Sequence, residues 1–138
     1  MSNILFSAKP IATQPIIGIL RIIIGLFMVY HGHEVFDAKA IASYTEWVEP
    51  LKGSPNALTM IYLGKGAEFV GGVLLTIGLL TRVCCFILAA PMVYIAFIMS
   101  NGKVWADAQH PFMFILFALL FFFAGPGSWA LDNKVFKK

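Results

Sequence analysis

The chain alternates between long apolar stretches and short polar segments. Four apolar stretches stand out, over residues 15–36, 58–80, 83–99 and 110–124. A helix crosses the hydrocarbon core of a bilayer with about 20 apolar residues, a length that these stretches approach. Because only a tight corner at 78–82 separates the second stretch from the third, those two helices must run antiparallel. The pattern predicts an all-α fold: one domain over residues 1–138, built as a transmembrane antiparallel four-helix bundle.

Small residues recur at helical spacing within two of these stretches. Gly18, Gly25 and Gly32 are seven residues apart and therefore line one face of the first helix. The second helix has a four-residue repeat of small or polar residues: Gly64, Glu68, Gly72 and Thr76. Smooth faces let membrane helices approach closely. Both faces are therefore predicted to pack against protein.

Two irregular regions interrupt the apolar pattern. Residues 37–56 are polar, and we predict a short helix over Ala38–Trp47 that lies on the membrane and ends before Pro50. This segment is expected to be the most exposed part of the chain. Pro91 lies inside the third stretch, where it predicts a kink that neighbouring helices relieve.

Composition supports a membrane protein and excludes a nucleic-acid partner. The chain is 59% hydrophobic and 12% charged, against about 25% charged in ordinary soluble domains, and its mean hydropathy is +0.83. The basic excess is small, with ten Lys and Arg against seven Asp and Glu, and it forms no aromatic-interleaved basic face. Such an excess is typical of topology signals and of attraction to anionic headgroups, so the lipid bilayer is the predicted partner.

The distribution of positive residues predicts the orientation in the membrane. With four crossings both termini lie on one side, and that side carries five basic residues: Lys9, Arg82, Lys134, Lys137 and Lys138. The opposite side carries three: Lys39, Lys52 and Lys103. The excess favours both termini in the cytoplasm.

The two cysteines, Cys84 and Cys85, are adjacent in an apolar helix. Neighbouring helical residues point about 100° apart, so a disulfide between them would break the helix. We interpret both as small apolar residues of the core. Their spacing predicts no metal site.

The predicted fold gathers polar side chains at each end of the bundle. The outer half collects His31, Glu34, Lys65, Glu68, Tyr94, Asn101, Gln109 and His110. Ionisable groups inside a membrane are costly and commonly functional. We therefore predict a polar pocket there, for a small ligand or for a proton path.

Glu68 is the strongest catalytic candidate in this pocket, because it lies between glycines on a face predicted to be packed. It is expected to act as a proton donor or acceptor, with His31 as the second catalytic candidate. Lys65, Tyr94 and His110 are the predicted ligand-binding residues. Two alternatives remain: Lys65 and Glu68, one turn apart, only neutralise each other, or His31 and His110 ligate a haem.

The inner half is predicted to be structural. Arg21 is expected to reach Asp132 or the free carbonyls of residues 125–127 and so to clamp the first helix to the end of the fourth. Arg82 lies at the corner between the second and third helices, at the edge of the hydrocarbon core, where a charge costs less than inside it. Gly72 is expected to allow close helix packing. Binding of an anion or a lipid headgroup is the alternative for Arg21.

Several of these motifs together resemble one family. They are Leu20-Arg21, Gly25 and His31-Gly32 in the first helix, Glu68-Phe-Val-Gly71-Gly72 and Gly78-Leu-Leu-Thr81-Arg82 around the corner, and Gly125-Pro126-Gly127 with Leu131-Asp132 at the end. The combination is similar to the DoxX family of small four-span membrane proteins. One position departs from it: Val35 stands where many relatives have a lysine after the histidine–glycine pair.

The resemblance implies a function, since relatives include the small membrane subunit of a thiosulfate–quinone oxidoreductase. It implies a subunit of the bacterial cytoplasmic membrane that supports quinone-linked redox chemistry, with a quinone as ligand, no intrinsic cofactor and a redox protein as partner. In this hypothesis His31 and Lys65 hydrogen-bond the quinone oxygens and Glu68 handles protons. The alternatives are a non-catalytic scaffold subunit, docking through the glycine strip and the Phe-rich fourth helix, and a transporter, for which four spans would require a homo-oligomer. Whether the chain is an enzyme is left open.

Overall fold

The computed structural model describes residues 7–48 and 51–136. Within these ranges the chain forms helices and turns without β-strands, which confirms the predicted all-α class. The elements in chain order are α1 (Thr13–Gly32), a 3₁₀ turn (His33–Phe36), α2 (Ala38–Trp47), α3 (Ala57–Ile77), α4 (Thr81–Val93), a π-helical segment (Tyr94–Met99), α5 (Gln109–Ala124) and α6 (Asp132–Val135).

Within the described residues, three helical stretches are long and apolar enough to cross a membrane: Thr13–Phe36, Ala57–Ile77 and Thr81–Met99. The fourth, α5, has 16 residues and is therefore about 24 Å long, somewhat less than the roughly 30 Å thickness of a hydrocarbon core. The outer surfaces of these helices carry many exposed Leu, Ile, Val and Phe side chains. Such a surface suits contact with lipid.

Glycine packing joins α1 to α3. Gly25 lies directly against Thr76, and Gly32 lies against Phe69. On the facing helix, a Cβ atom at Gly72 would come within 2.6 Å of the backbone nitrogen of Val29. The two backbones are therefore in direct contact, as the glycine spacing predicts.

Of the two remaining glycines on the predicted contact faces, Gly18 packs against protein and Gly64 does not. A Cβ atom at Gly18 would lie 2.6 Å from the carbonyl oxygen of Ser128, so the end of the strip is covered by the segment after α5. Gly64 has no atom within 4 Å of that position. Its predicted packing is wrong, because α1 has already ended where α3 carries Gly64.

Glycine also forms the corner between α3 and α4. Gly78 has φ +69°, a left-handed conformation that glycine adopts without steric cost. Its N–H donates to the carbonyl of Leu75 (3.1 Å), and the N–H of Leu79 donates to that of Leu74 (3.0 Å). This pair of hydrogen bonds is the Schellman arrangement that ends a helix and turns the chain at once.

The third span is irregular beyond Pro91. Proline lacks the N–H that an α-helix needs at this point, and from Tyr94 to Met99 the helix widens into π-helical turns. The irregularity predicted at Pro91 therefore lies a few residues further along. Cys84 and Cys85 of the same span are both buried and free.

The segment between α1 and α3 packs against the bundle. Ile41 of α2 is completely buried, and it forms a small core with Val48, Leu51, Ala57 and Ile61. The prediction that this segment is the most exposed part of the chain is wrong, because its apolar face covers the start of α3. Pro50 lies outside the described residues.

Candidate functional site

The 3₁₀ turn after α1 and the helix α2 place two polar side chains, Glu34 and Tyr44, beside α3. Asp37 caps α2 by accepting hydrogen bonds from the N–H groups of Lys39 (2.9 Å) and Ala40 (3.2 Å), as Asp does at many helix starts. The cap reverses the chain after the 3₁₀ turn. Tyr44 can then donate its O–H to Oε2 of Glu34 at 2.7 Å.

Lys65 of α3 lies at the centre of these groups. Its ammonium contacts Oε2 of Glu34 at 2.9 Å and Oε2 of Glu68 at 3.2 Å. It also donates to the backbone carbonyl of His31 at 3.2 Å and lies 5.2 Å from the ring centroid of Tyr44. A lysine has three N–H donors, so all three are in use.

We call Glu34, Tyr44, Lys65 and Glu68 the ionic cluster. Exposure of its charged side chains falls from 33% for Glu34 to 14% for Lys65 and 6% for Glu68. Glu68 is the deepest because Gly32 lets the backbone of α1 lie directly on α3 beside it. Only one oxygen of Glu68, Oε2, has a partner among the described residues.

His31 borders the ionic cluster from α1. It lies close to both Glu34 and Glu68, while its ring is exposed and makes an edge contact with Phe114 of α5, with centroids 6.4 Å apart. The imidazole therefore lies between the buried carboxylate and the outer surface of the bundle.

The other two predicted ligand-binding residues are not joined to the ionic cluster. Tyr94 is half-buried in the π-helical segment, and His110 is exposed in the first turn of α5. Neither side chain makes a hydrogen bond or ion pair within residues 7–48 and 51–136.

Tyr44 lies outside the apolar spans, and its environment keeps the phenol protonated. Burial raises its pKa, and the hydrogen bond to the carboxylate of Glu34 raises it further, whereas the ammonium of Lys65 opposes the shift. A neutral phenol is a donor, so the contact with Glu34 is intact at neutral pH.

Sequence reasoning found part of this cluster. The pairing of Lys65 with Glu68 follows from their i, i+3 spacing. Sequence reasoning missed the contact of Lys65 with Glu34 and the role of Tyr44, since neither follows from helical spacing. The available signal was Asp37, a helix-capping residue that reverses the chain between Glu34 and Tyr44.

At the opposite end, Arg21 of α1 is completely buried, and its guanidinium partners within the described residues are all backbone carbonyls. It donates to Pro126 (2.7 Å), Leu75 (2.5 Å), Thr76 (2.6 Å) and Ser128 (3.3 Å). These contacts tie α1 to the end of α3 and to the segment after α5. Of the two predicted kinds of partner, carbonyls are the ones in contact.

Asp132 binds the start of α4 instead of Arg21. Its Oδ1 accepts from the N–H of Leu80 at 2.6 Å, and its Oδ2 accepts from the N–H of Thr81 at 2.9 Å. Asp132 thus caps α4 from a distant part of the chain. The hydroxyl oxygen of Thr81 is buried without a partner within the described part of the chain.

Arg82, the remaining predicted structural residue, is exposed at the corner. Its Nε donates to the carbonyl of Phe122 near the end of α5, at 3.2 Å. This single contact links the start of α4 to the end of α5.

No group of three or more His, Cys, Asp or Glu residues within residues 7–48 and 51–136 is arranged to hold a metal ion. A small apolar cavity lies in the middle of the bundle, between Met28, Leu88, Phe114 and Phe121. It is separate from the ionic cluster.

Comparison with known proteins places the chain in a family. The DoxX family model matches residues 16–101, a range that contains the whole ionic cluster. A relative from Haemophilus influenzae strain Rd, named an uncharacterized protein, is 31% identical over 128 residues that cover 86% of this chain and 90% of that protein. No solved structure matches the chain. With three helices suited to crossing a bilayer, the chain is a membrane protein that belongs to the DoxX family.

Proposed function

We propose that this protein is a small subunit that supports quinone-linked redox chemistry in a bacterial cytoplasmic membrane, with the ionic cluster handling the protons. The observation that carries this function is the carboxylate of Glu68, which is almost completely buried within an apolar span. Such groups are costly in a membrane and are commonly retained for use.

The charge balance of the ionic cluster supports a proton-handling role. Two carboxylates, Glu34 and Glu68, contact one ammonium, that of Lys65. With both acids and the lysine ionised, the ionic cluster holds one unbalanced negative charge. Binding one proton removes that charge, which costs more inside a membrane than in water.

The contacts also revise which side chains would face a quinone. Lys65 has no free N–H donor for a quinone oxygen, since all three are used within the ionic cluster and by the carbonyl of His31. His31 is the exposed group beside the cluster, and the ring of Phe114 next to it offers an aromatic surface. A bound quinone takes up two electrons and two protons as it becomes a quinol; Glu68 would exchange the protons, and a partner redox protein would supply the electrons.

We infer an orientation with both termini in the cytoplasm from the excess of basic residues on their side. The ionic cluster then lies in the outer half of the membrane. A polar pocket at this position would be reached laterally from the bilayer near His31, whose exposed ring lies beside Phe114 of α5.

Quinone binding by the purified protein tests this function. In nanodiscs, a short-chain benzoquinone or naphthoquinone should bind saturably by calorimetry. Glu68→Gln should weaken binding by up to roughly tenfold, because it replaces a protonated carboxyl that donates to a quinone oxygen by a weaker amide donor, and such a hydrogen bond contributes about 0.5–1.5 kcal/mol. Glu46→Gln, an equivalent change on the exposed face of α2, should have no effect. Absence of saturable binding to the unaltered protein would refute the proposal.

A non-catalytic scaffold subunit was the alternative, and one of its two predicted docking faces is occupied. The glycine strip of α1 is covered by α3 and by the segment after α5. The outer face of α5 remains exposed, with Leu116, Leu119 and Phe123 among its side chains. Such a face is equally suited to lipid, so we favour the proton-handling function.

A further inference from the structure

We propose that Glu34 is the residue through which the buried Glu68 exchanges protons with water, and that Lys65 carries each proton between the two carboxylates. This relay rests on the proposed function, in which Glu68 gains and loses a proton. It assigns roles to Glu34 and to Tyr44, neither of which touches the expected quinone position at His31.

The order of exposure defines the direction of the relay. Glu34 is the most accessible of the three charged side chains, Lys65 is intermediate and Glu68 is the least accessible. Direct access to Glu68 between α1 and α3 is closed, because Gly32 brings the backbone of α1 against the backbone of Glu68 and Phe69. A proton from water therefore meets Glu34 first.

The contacts are short enough for direct transfer. Lys65 lies 2.9 Å from Oε2 of Glu34 and 3.2 Å from Oε2 of Glu68. An ammonium N–H bond breaks as an O–H bond forms on Glu68, which leaves a neutral amine. Glu34, protonated from water, then returns a proton to that amine. The net change moves one proton from Glu34 to Glu68, restores Lys65 and involves no electron transfer.

Tyr44 acts as a positioning residue in this relay. Its O–H donates to the same oxygen of Glu34, Oε2, that Lys65 contacts. Oε1 of Glu34 has no partner among the described residues and is left to take a proton from water; a half-turn of the carboxyl group about its Cγ–Cδ bond then brings the protonated oxygen to the amine of Lys65. Tyr44 thus holds the carboxylate with one oxygen toward Lys65.

The groups facing the two carboxylates come from three elements. His31 faces them from α1, Tyr44 from α2 and Lys65 from α3. No hydrogen bond or ion pair of the described residues joins the ionic cluster to α4 or α5. His31 is therefore the one competing entrance for a proton, and it has to be included in the test.

A pH jump followed by infrared spectroscopy on the protein in nanodiscs tests the relay. The carboxyl C=O band of protonated Glu68 is assigned by its loss in Glu68→Gln, and the rate at which it appears after acidification is measured. Glu34→Gln keeps an acceptor for Tyr44 but cannot carry the proton. Glu34→Gln should slow the appearance of the band by at least about tenfold, since a positioned acid or base contributes a factor of about 100 or more to the rate of proton transfer.

Three further variants make the outcome decisive. Glu34→Asp keeps the charge but withdraws the carboxylate from Lys65, so it too should slow the band, and it replaces Glu34→Gln if that variant misfolds. Glu46→Gln should leave the rate unchanged. An unchanged rate in the Glu34 variants, or slowing by His31→Phe in their place, would overturn the relay. A band that never appears in the unaltered protein would instead refute the proposed function.

Discussion

Replacement of the buried Arg21 by methionine should destabilise the bundle far more than the same change at the exposed Arg82. Methionine keeps much of the volume of the side chain but removes all four hydrogen bonds to carbonyls. Side-chain hydrogen bonds within membranes average about 0.6 kcal/mol each, which sets a lower value of about 2.4 kcal/mol. Bonds to charged groups in water contribute about 1.5 kcal/mol or more each, so the expected loss is about 2–6 kcal/mol.

The assay is reversible unfolding of the purified protein in mixed micelles by increasing SDS, followed by far-UV circular dichroism. Arg82→Met is the matched control, because Arg82 is exposed and makes one long hydrogen bond. It should cost less than about 1 kcal/mol. Arg21→Lys should fall between the two, since an ammonium cannot reproduce the planar fork of a guanidinium. Equal free energies of unfolding for Arg21→Met and Arg82→Met would refute the clamp.

Three further predictions test the packing, the cap and the phenol. Gly72→Ala should lower the free energy of unfolding by about 1–3 kcal/mol because the added methyl group meets the backbone of α1. Gly64→Ala should be neutral or stabilising, since a Cβ atom at Gly64 has open space around it. Equal effects of the two changes would contradict the packing. Asp132→Ala should cost about 0.5–2 kcal/mol through loss of the α4 cap, and unchanged stability would exclude the cap. The pKa of Tyr44 is raised in the folded state, so the stabilisation that its phenol contributes is present below its ordinary pKa of about 10 and is lost as pH rises through the raised value. In SDS unfolding at alkaline pH, Tyr44→Phe should abolish this loss of stability. An identical pH profile for the variant and the unaltered protein would contradict the prediction.

The architecture could be predicted because its determinants are local or periodic. The seven-residue spacing of Gly18, Gly25 and Gly32 marks a contact face, and Gly78 marks the corner at which the chain turns. The pairing of Lys65 with Glu68 needs only helical periodicity. Each of these features depends on residues close together in the sequence.

The remaining features depend on tertiary structure. Glu34 reaches Lys65 only because a 3₁₀ turn follows α1, and that turn has no distinctive sequence signal. The burial of Ile41 depends on how α2 packs against α3. The partners of Arg21 are backbone carbonyls, which every residue possesses, so residue identity cannot reveal them. Tyr94 and His110 were grouped with the ionic cluster because depth in a membrane was used without the direction in which each side chain points.

The clamp around Arg21 has a consequence for biosynthesis. Two of its four acceptors, Pro126 and Ser128, follow all four long helices in the sequence. During translation Arg21 is made more than a hundred residues before these carbonyls. Until then its guanidinium lacks two of its four native hydrogen-bond acceptors. The native contacts of Arg21 are therefore complete only after the segment that follows α5 has left the ribosome. A nascent chain that stops short of residue 126 leaves this arginine with unused N–H donors inside the bundle.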